Sequence, residues 1–108
     1  MLFVVVPFLA FAEGQADFSS AQWIGATAVA TDSLADRSII LSKTITCPEV
    51  FDRAEVSICG LGCYELYIDG RKVGNDVLSP AWSDYKKTVW YNNRDISRYL
   101  TRGRHLIE

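Results

Sequence analysis

The chain has little of several things, and each scarcity excludes something. Among its 108 residues there are one histidine, one methionine, three prolines and three cysteines. The three thiols, Cys47, Cys59 and Cys63, leave at least one unpaired within the chain. Cys59 and Cys63 are about 13 Å apart when extended, too far for a bridge unless the intervening glycines fold the chain back. Both therefore read as small core residues. The lone His105 lies far along the chain from the thiols, so the zinc signal is weak. No excess of either charge exists: a net charge of −2 and a pI near 5.3 give no reason to expect nucleic acid as a partner. Long amphipathic helical patterns are missing too, and so is any apolar run long enough to span a bilayer. At 49% apolar and 22% charged, the chain still fits an ordinary globular domain, and its length allows one at most.

What is present begins with residues 2–12, LFVVVPFLAFA, wholly apolar up to Glu13. Ala10-Phe11-Ala12 has the small-x-small form of a signal peptidase site, which predicts cleavage before Glu13 and a secreted or periplasmic protein. No basic residue precedes the apolar run. The competing reading, a buried first strand, is weakened by Pro7. Residues 13–20 read as a polar linker, and residues 21–108 as the folded part.

The folded part is organised around residues 53–91. Ala54, Val56 and Ile58 alternate with Glu55 and Ser57, a period-2 pattern that turns one face to a core. Gly60 and Gly62 interrupt it, as at a bulge or a close backbone approach. The alternation resumes with Tyr64, Leu66 and Ile68. Asp69-Gly70 then predicts a type I′ hairpin turn, whose two central residues both need positive φ, with residues 71–74 as the return arm. Residues 75–83, carrying Pro80 and Trp82, read as an irregular loop, and residues 87–91 as another strand.

Flanking segments add further elements. Residues 38–46 form a β-branched strand ended by Cys47-Pro48. Asp95 is placed to cap one helical turn over residues 96–100, with Gly103 at its stop. Residues 105–108 begin a new strand. The basic residues Lys86, Lys87, Arg94, Arg98, Arg102 and Arg104, opposed by Asp95 alone, read as a solvated face or as a contact surface for another domain. Several short strands between turn signals predict an all-β fold, an antiparallel jelly-roll-like sandwich whose second layer needs strands beyond the C-terminal residue.

The run from Cys59 to Tyr91 resembles the N-terminal β-sandwich domain of bacterial α-L-rhamnosidases. That family's pattern is approximately GLGYYELYLNGKRVGD, LxPGWTDYxKRVxY and DVTxxLxxGxN. Gly60-Leu61-Gly62, Tyr64-Glu65-Leu66-Tyr67, Gly70, Val73-Gly74, Leu78, Pro80, Trp82, Asp84-Tyr85 and Tyr91 match it, followed by Asp95-Ile96-Ser97, Leu100 and Gly103. Gln22-Trp23-Ile24-Gly25-Ala26 resembles the opening of the domain, so the likeness spans residues 21–108. The departures are Cys63 for a second aromatic, Asp69 for Asn, Ala81 for Gly and His105 near the usual Asn. Asp-Gly still serves a type I′ turn.

The resemblance implies the first part of a glycoside hydrolase that removes terminal α-L-rhamnose with inversion. Such chemistry needs two carboxyl groups on opposite faces of the sugar, with room for water between them. In the family these acids sit in a downstream (α/α)6 barrel, so no catalytic residue carries over and the present residues are expected to be inert alone. Glu55 and Glu65 do not make a convincing acid pair of their own. Two roles are then open. As a scaffold, the domain would buttress the barrel, with Trp82, Trp90 and Tyr91 as core or interdomain anchors. As a carbohydrate-binding module for a rhamnose-containing glycan, Trp82 and Tyr85 would stack on the sugar and Asp84 would fix its hydroxyls. Related family modules bind rhamnose with calcium, for which Asp69, Asp76 and Asp84 are the hard oxygen ligands at hand. Burial of Trp82 would rule out its role in sugar binding.

Overall fold

The alternation at residues 54–58 builds the centre of the first sheet. In the computed structural model, which describes residues 3–8, 18–25 and 38–108, strand β3 (Glu55–Gly60) turns Val56, Ile58 and Gly60 inward. It pairs antiparallel with β1 (Phe3–Phe8) on one side and β6 (Tyr91–Asp95) on the other. The second sheet runs in the order β2 (Lys43–Cys47), β7 (Gly103–Ile107), β4 (Tyr67–Ile68), β5 (Arg71–Lys72). All pairings are antiparallel. One apolar cluster is shared by both sheets: it holds Val56 and Ile58 of β3 and Cys47, Ile68 and Ile107 of the second sheet, together with Ala54, Leu66, Val73, Ile96, Tyr99 and Leu100. Ile58 and Ile68 are each 1% exposed, a burial that stabilises by roughly 1.5–3 kcal/mol per side chain. The all-β antiparallel sandwich is thus present.

The hairpin follows its dipeptide. Asp69 has φ 51° and Gly70 has φ 75°, both left-handed, as a type I′ turn demands. Gly60 is a close approach: a Cβ there would stand 3.2 Å from the Tyr64 ring and 3.3 Å from the Gly62 carbonyl oxygen. Ser97–Tyr99 form a single 3-10 turn, and Asp95 Oδ1 accepts from the Ser97 N–H at 2.9 Å and from its hydroxyl at 2.6 Å.

Several expectations are corrected. Residues 87–91 are not a strand; pairing with β3 begins only at Tyr91 and runs on through Asn92, Asn93 and Arg94. Residues 83–88 are instead closed into a turn by their own hydrogen bonds. The strand expected over residues 38–46 starts at Lys43, where β7 becomes available as a partner. Cys63 is exposed and Cys59 half-buried, so only Cys47 is a buried cysteine, and all three are free thiols. Residues 3–8 lie as an edge strand despite Pro7, because an edge position tolerates a missing N–H. The Ala10-Phe11-Ala12 cleavage signal, residues 13–17 of the linker and residues 26–37 fall outside the described residues.

Candidate functional site

The connection between β5 and β6 carries the expected site residues Asp76, Trp82, Asp84 and Tyr85, while Asp69 lies in the β4–β5 turn; the shape of the connection comes from short polar bonds. Asp84 holds a turn: its Oδ1 accepts the Lys86 N–H at 3.1 Å, its backbone carbonyl accepts from Lys87 and Thr88 at 2.8 and 2.9 Å, and its Oδ2 lies 3.4 Å from Lys87 Nζ. The Ser83 hydroxyl closes the turn on the Thr88 carbonyl at 2.7 Å. This is the Asx-type behaviour expected of aspartate in a loop. Asp84 is thereby engaged locally, while Trp82 beside it is 91% exposed. Trp82 is not a core residue. Trp90 is also exposed, at 53%, and so are Val77, Leu78 and Tyr85. Tyr91 alone of the expected anchors is half-buried, in a T-shaped contact with the Phe18 ring with centroids 5.2 Å apart.

The base of this loop is pinned by a network absent from the expectations. The Tyr64 N–H donates to the Ser79 carbonyl at 2.8 Å. Asn92 Oδ1 accepts from both the Tyr64 hydroxyl and the Ser79 hydroxyl at 3.0 Å. Arg94 forms an ion pair with Asp76. Burial holds the Tyr64 phenol above its ordinary value, outweighing the opposing effect of Arg94. Tyr64, Glu65, Leu66, Lys72, Val73, Asp76, Ser79 and Arg94 line a shallow notch with room for about one water molecule, far short of a sugar ring. Asn92 carries no strand signal of its own, and Arg94, read from the sequence only as part of a basic face, instead lies within β6 and pairs with Asp76.

Of the expected cation ligands, Asp76 is paired with Arg94 and Asp69 is engaged elsewhere: His105 Nδ1 lies 2.6 Å from its Oδ2 and the Leu106 N–H donates to its Oδ1 at 2.8 Å. Those two bonds, His105 first, hold the Asp69 carboxyl below the usual carboxylate range. Among the described residues no group of three His, Cys, Asp or Glu side chains converges as a metal site would require. Glu65 is likewise committed, to Lys72 at 2.5 Å and the Tyr67 hydroxyl at 2.8 Å, and Glu55 to Arg53. No helix among the described residues is long and apolar enough to cross a membrane.

Comparison with known proteins matches residues 49–108 to the family model described as the alpha-L-rhamnosidase N-terminal domain. An alpha-L-rhamnosidase from Formosa agariphila is 48% identical over 56 residues, 52% of this chain and 6% of that protein. One from Streptomyces avermitilis is 38% identical over 55 residues, 51% of this chain and 5% of that protein. Among solved structures, alpha-L-rhamnosidase from Dictyoglumus thermophilum superposes with a TM-score of 0.58 at 42% identity, over 61% of this chain and 7% of its own. The Streptomyces avermitilis alpha-L-rhamnosidase complexed with L-rhamnose gives 0.57 at 32% identity, over 61% and 6%. The chain therefore spans well under a tenth of the length of the relatives it matches.

Proposed function

The chain belongs to the alpha-L-rhamnosidase N-terminal domain family, and from that premise we propose that it is the non-catalytic scaffold domain of an exported α-L-rhamnosidase. The observation that carries this reading is the exposure of Trp82, together with Val77, Leu78 and Trp90, along the single connection between β5 and β6. Such a concentration of uncovered apolar side chains marks a surface that something covers. The matched relatives are more than ten times longer than the region they share with this chain, so a following catalytic barrel is the natural cover. Hydrolysis of terminal α-L-rhamnosyl residues would belong to that barrel, whose two acids this chain does not supply. Export is proposed on the leader-like residues 2–12. N-terminal sequencing of the mature protein distinguishes cleavage before Glu13 from retention of β1.

A second reading is favoured by the same 91% exposure of Trp82, since a free indole face is what a sugar ring stacks on. In that case a rhamnose-containing glycan, held with or without calcium, is the partner. The test is Trp82→Ala combined with Trp90→Ala in the enzyme that carries this domain. Loss of thermal stability and of kcat, with KM for a small rhamnoside unchanged, supports the scaffold. Unchanged stability, with weaker binding of a rhamnose-containing polymer by calorimetry, supports the binding module.

A further inference from the structure

We propose that Asp69 and His105 form a proton-operated latch, which ties the β4–β5 turn to β7 and, through the far ring nitrogen, to the loop that leads into β7. Asp69 occupies the first left-handed position of the turn. Its N–H donates to the Leu106 carbonyl at 2.8 Å, its Oδ1 takes the Leu106 N–H at 2.8 Å, and its Oδ2 meets His105 Nδ1 at 2.6 Å. The His105 side chain is 7% exposed and the Asp69 side chain 44%. A carboxylate only accepts, so Nδ1 carries hydrogen in both states of the ring. Nε2 is the atom that titrates. It lies 3.0 Å from the Thr101 N and 2.8 Å from the Thr101 carbonyl oxygen.

One residue thus presents a donor and an acceptor to the same nitrogen. The neutral ring accepts the Thr101 N–H; the imidazolium donates to the Thr101 carbonyl and gives up the N–H. Proton uptake exchanges one backbone partner for the other without moving the ring, while strengthening the bond to Asp69 by charge. Among the described residues Asp69 is the charged group in contact with the ring. From β2, Ile45 stands opposite in register; from β4, Ile68 stands opposite Ile107; Arg102 and Arg104 on the ring's own segment are exposed.

His105 is the single histidine, so its ring protons identify themselves in an NMR titration of the chain. The ring is expected to titrate above the ordinary histidine value of about 6.5, and the Thr101 amide signal to move with the same midpoint. Asp69→Asn should lower the midpoint, and the Asp69→Asn, His105→Asn double variant should abolish the pH-dependent movement at Thr101. A Thr101 amide that stays still while the ring titrates overturns the latch. So does a ring that titrates like free imidazole in the unsubstituted chain, a measurement that needs no variant to fold.

Discussion

The hydroxyl of Ser97 accepts the backbone N–H of Ala54 at 2.8 Å across 43 residues of sequence, and donates to Asp95 Oδ1 at 2.6 Å. Ala54 is 4% exposed, so its N–H has no water to turn to. The 3-10 turn is thereby fastened to the start of β3, a fastening completed by the Ile96 N–H donating to the Ala54 carbonyl at 2.9 Å.

Ser97→Ala is expected to leave the Ala54 donor buried and unpaired and to destabilise the fold by about 1–3 kcal/mol. Ser97→Thr keeps the hydroxyl and should recover most of that loss. Urea denaturation of the two variants, compared at constant slope, checks it.

Truncation should separate the core from the exposed loop. Ile58→Ala or Ile68→Ala removes a side chain that is 1% exposed and is expected to cost about 2–5 kcal/mol through lost burial and cavity formation. Trp82→Ala removes a larger side chain that touches little, and in the isolated chain should shift stability by no more than about 0.5 kcal/mol. Equal losses at Ile58 and Trp82 would mean that the indole is packed in solution.

Glycine substitutions should fail for two different reasons. Gly70→Ala meets nothing within 4 Å, so its cost is that of the left-handed backbone at φ 75°, about 1–2 kcal/mol. Gly70→Asn should cost less, because asparagine tolerates that region. Gly60→Ala has no positive φ to support but drives a Cβ to 3.3 Å from the Gly62 carbonyl oxygen, so asparagine at Gly60 should be worse than alanine. Thermal melts of the four variants give the order.

Stability should peak on the acid side of neutrality. Hydrogen bonds from the Ser97 side chain and backbone hold Asp95 below the carboxylate range; those from Lys72 and Tyr67 do the same for Glu65, and those from His105 and Leu106 for Asp69. Their contribution is present above the unfolded carboxylate value of about 4 and is lost as pH falls through the folded values. His105 is raised, first by Asp69 and then by the Thr101 backbone. Its contribution is complete below about pH 6.5 and disappears as pH rises through the folded value. Melting temperatures should therefore be highest between about pH 4 and 6.5, and the decline on the alkaline side should vanish in His105→Asn.

Thiol reactivity should follow burial. Cys63 is exposed, whereas burial pushes the Cys47 and Cys59 thiols up. A chromogenic disulfide reagent is expected to label Cys63 rapidly in the folded chain, and Cys47 at the rate of unfolding. Simultaneous reaction of all three thiols would contradict the packing of Cys47 against β7.

Local chemistry was legible from the residues. Asp69-Gly70 specifies its own turn because only a few residue types accept two consecutive positive φ angles, and the observed angles are those. The parity of Val56 and Ile58 assigns the buried face of β3 because side chains alternate across a strand whatever it pairs with. Asp95 before Ser97 announces a turn through a carboxylate that reaches the next free N–H. Each of these preferences acts within a few residues. Tertiary structure decided what depends on partners distant in sequence. Residues 91–95 became the strand in place of 87–91 because Glu55–Cys59 offered hydrogen-bonding partners there, and pairing outweighs the weak β-preference of Asn92 and Asn93. Trp82 is left exposed beside the turn at residues 83–88, and the role of Asp69 follows from β7 bringing His105 to within 2.6 Å across 36 residues. A carboxylate that could have faced a cation was instead committed to an imidazole, because the second sheet brought the two side chains together.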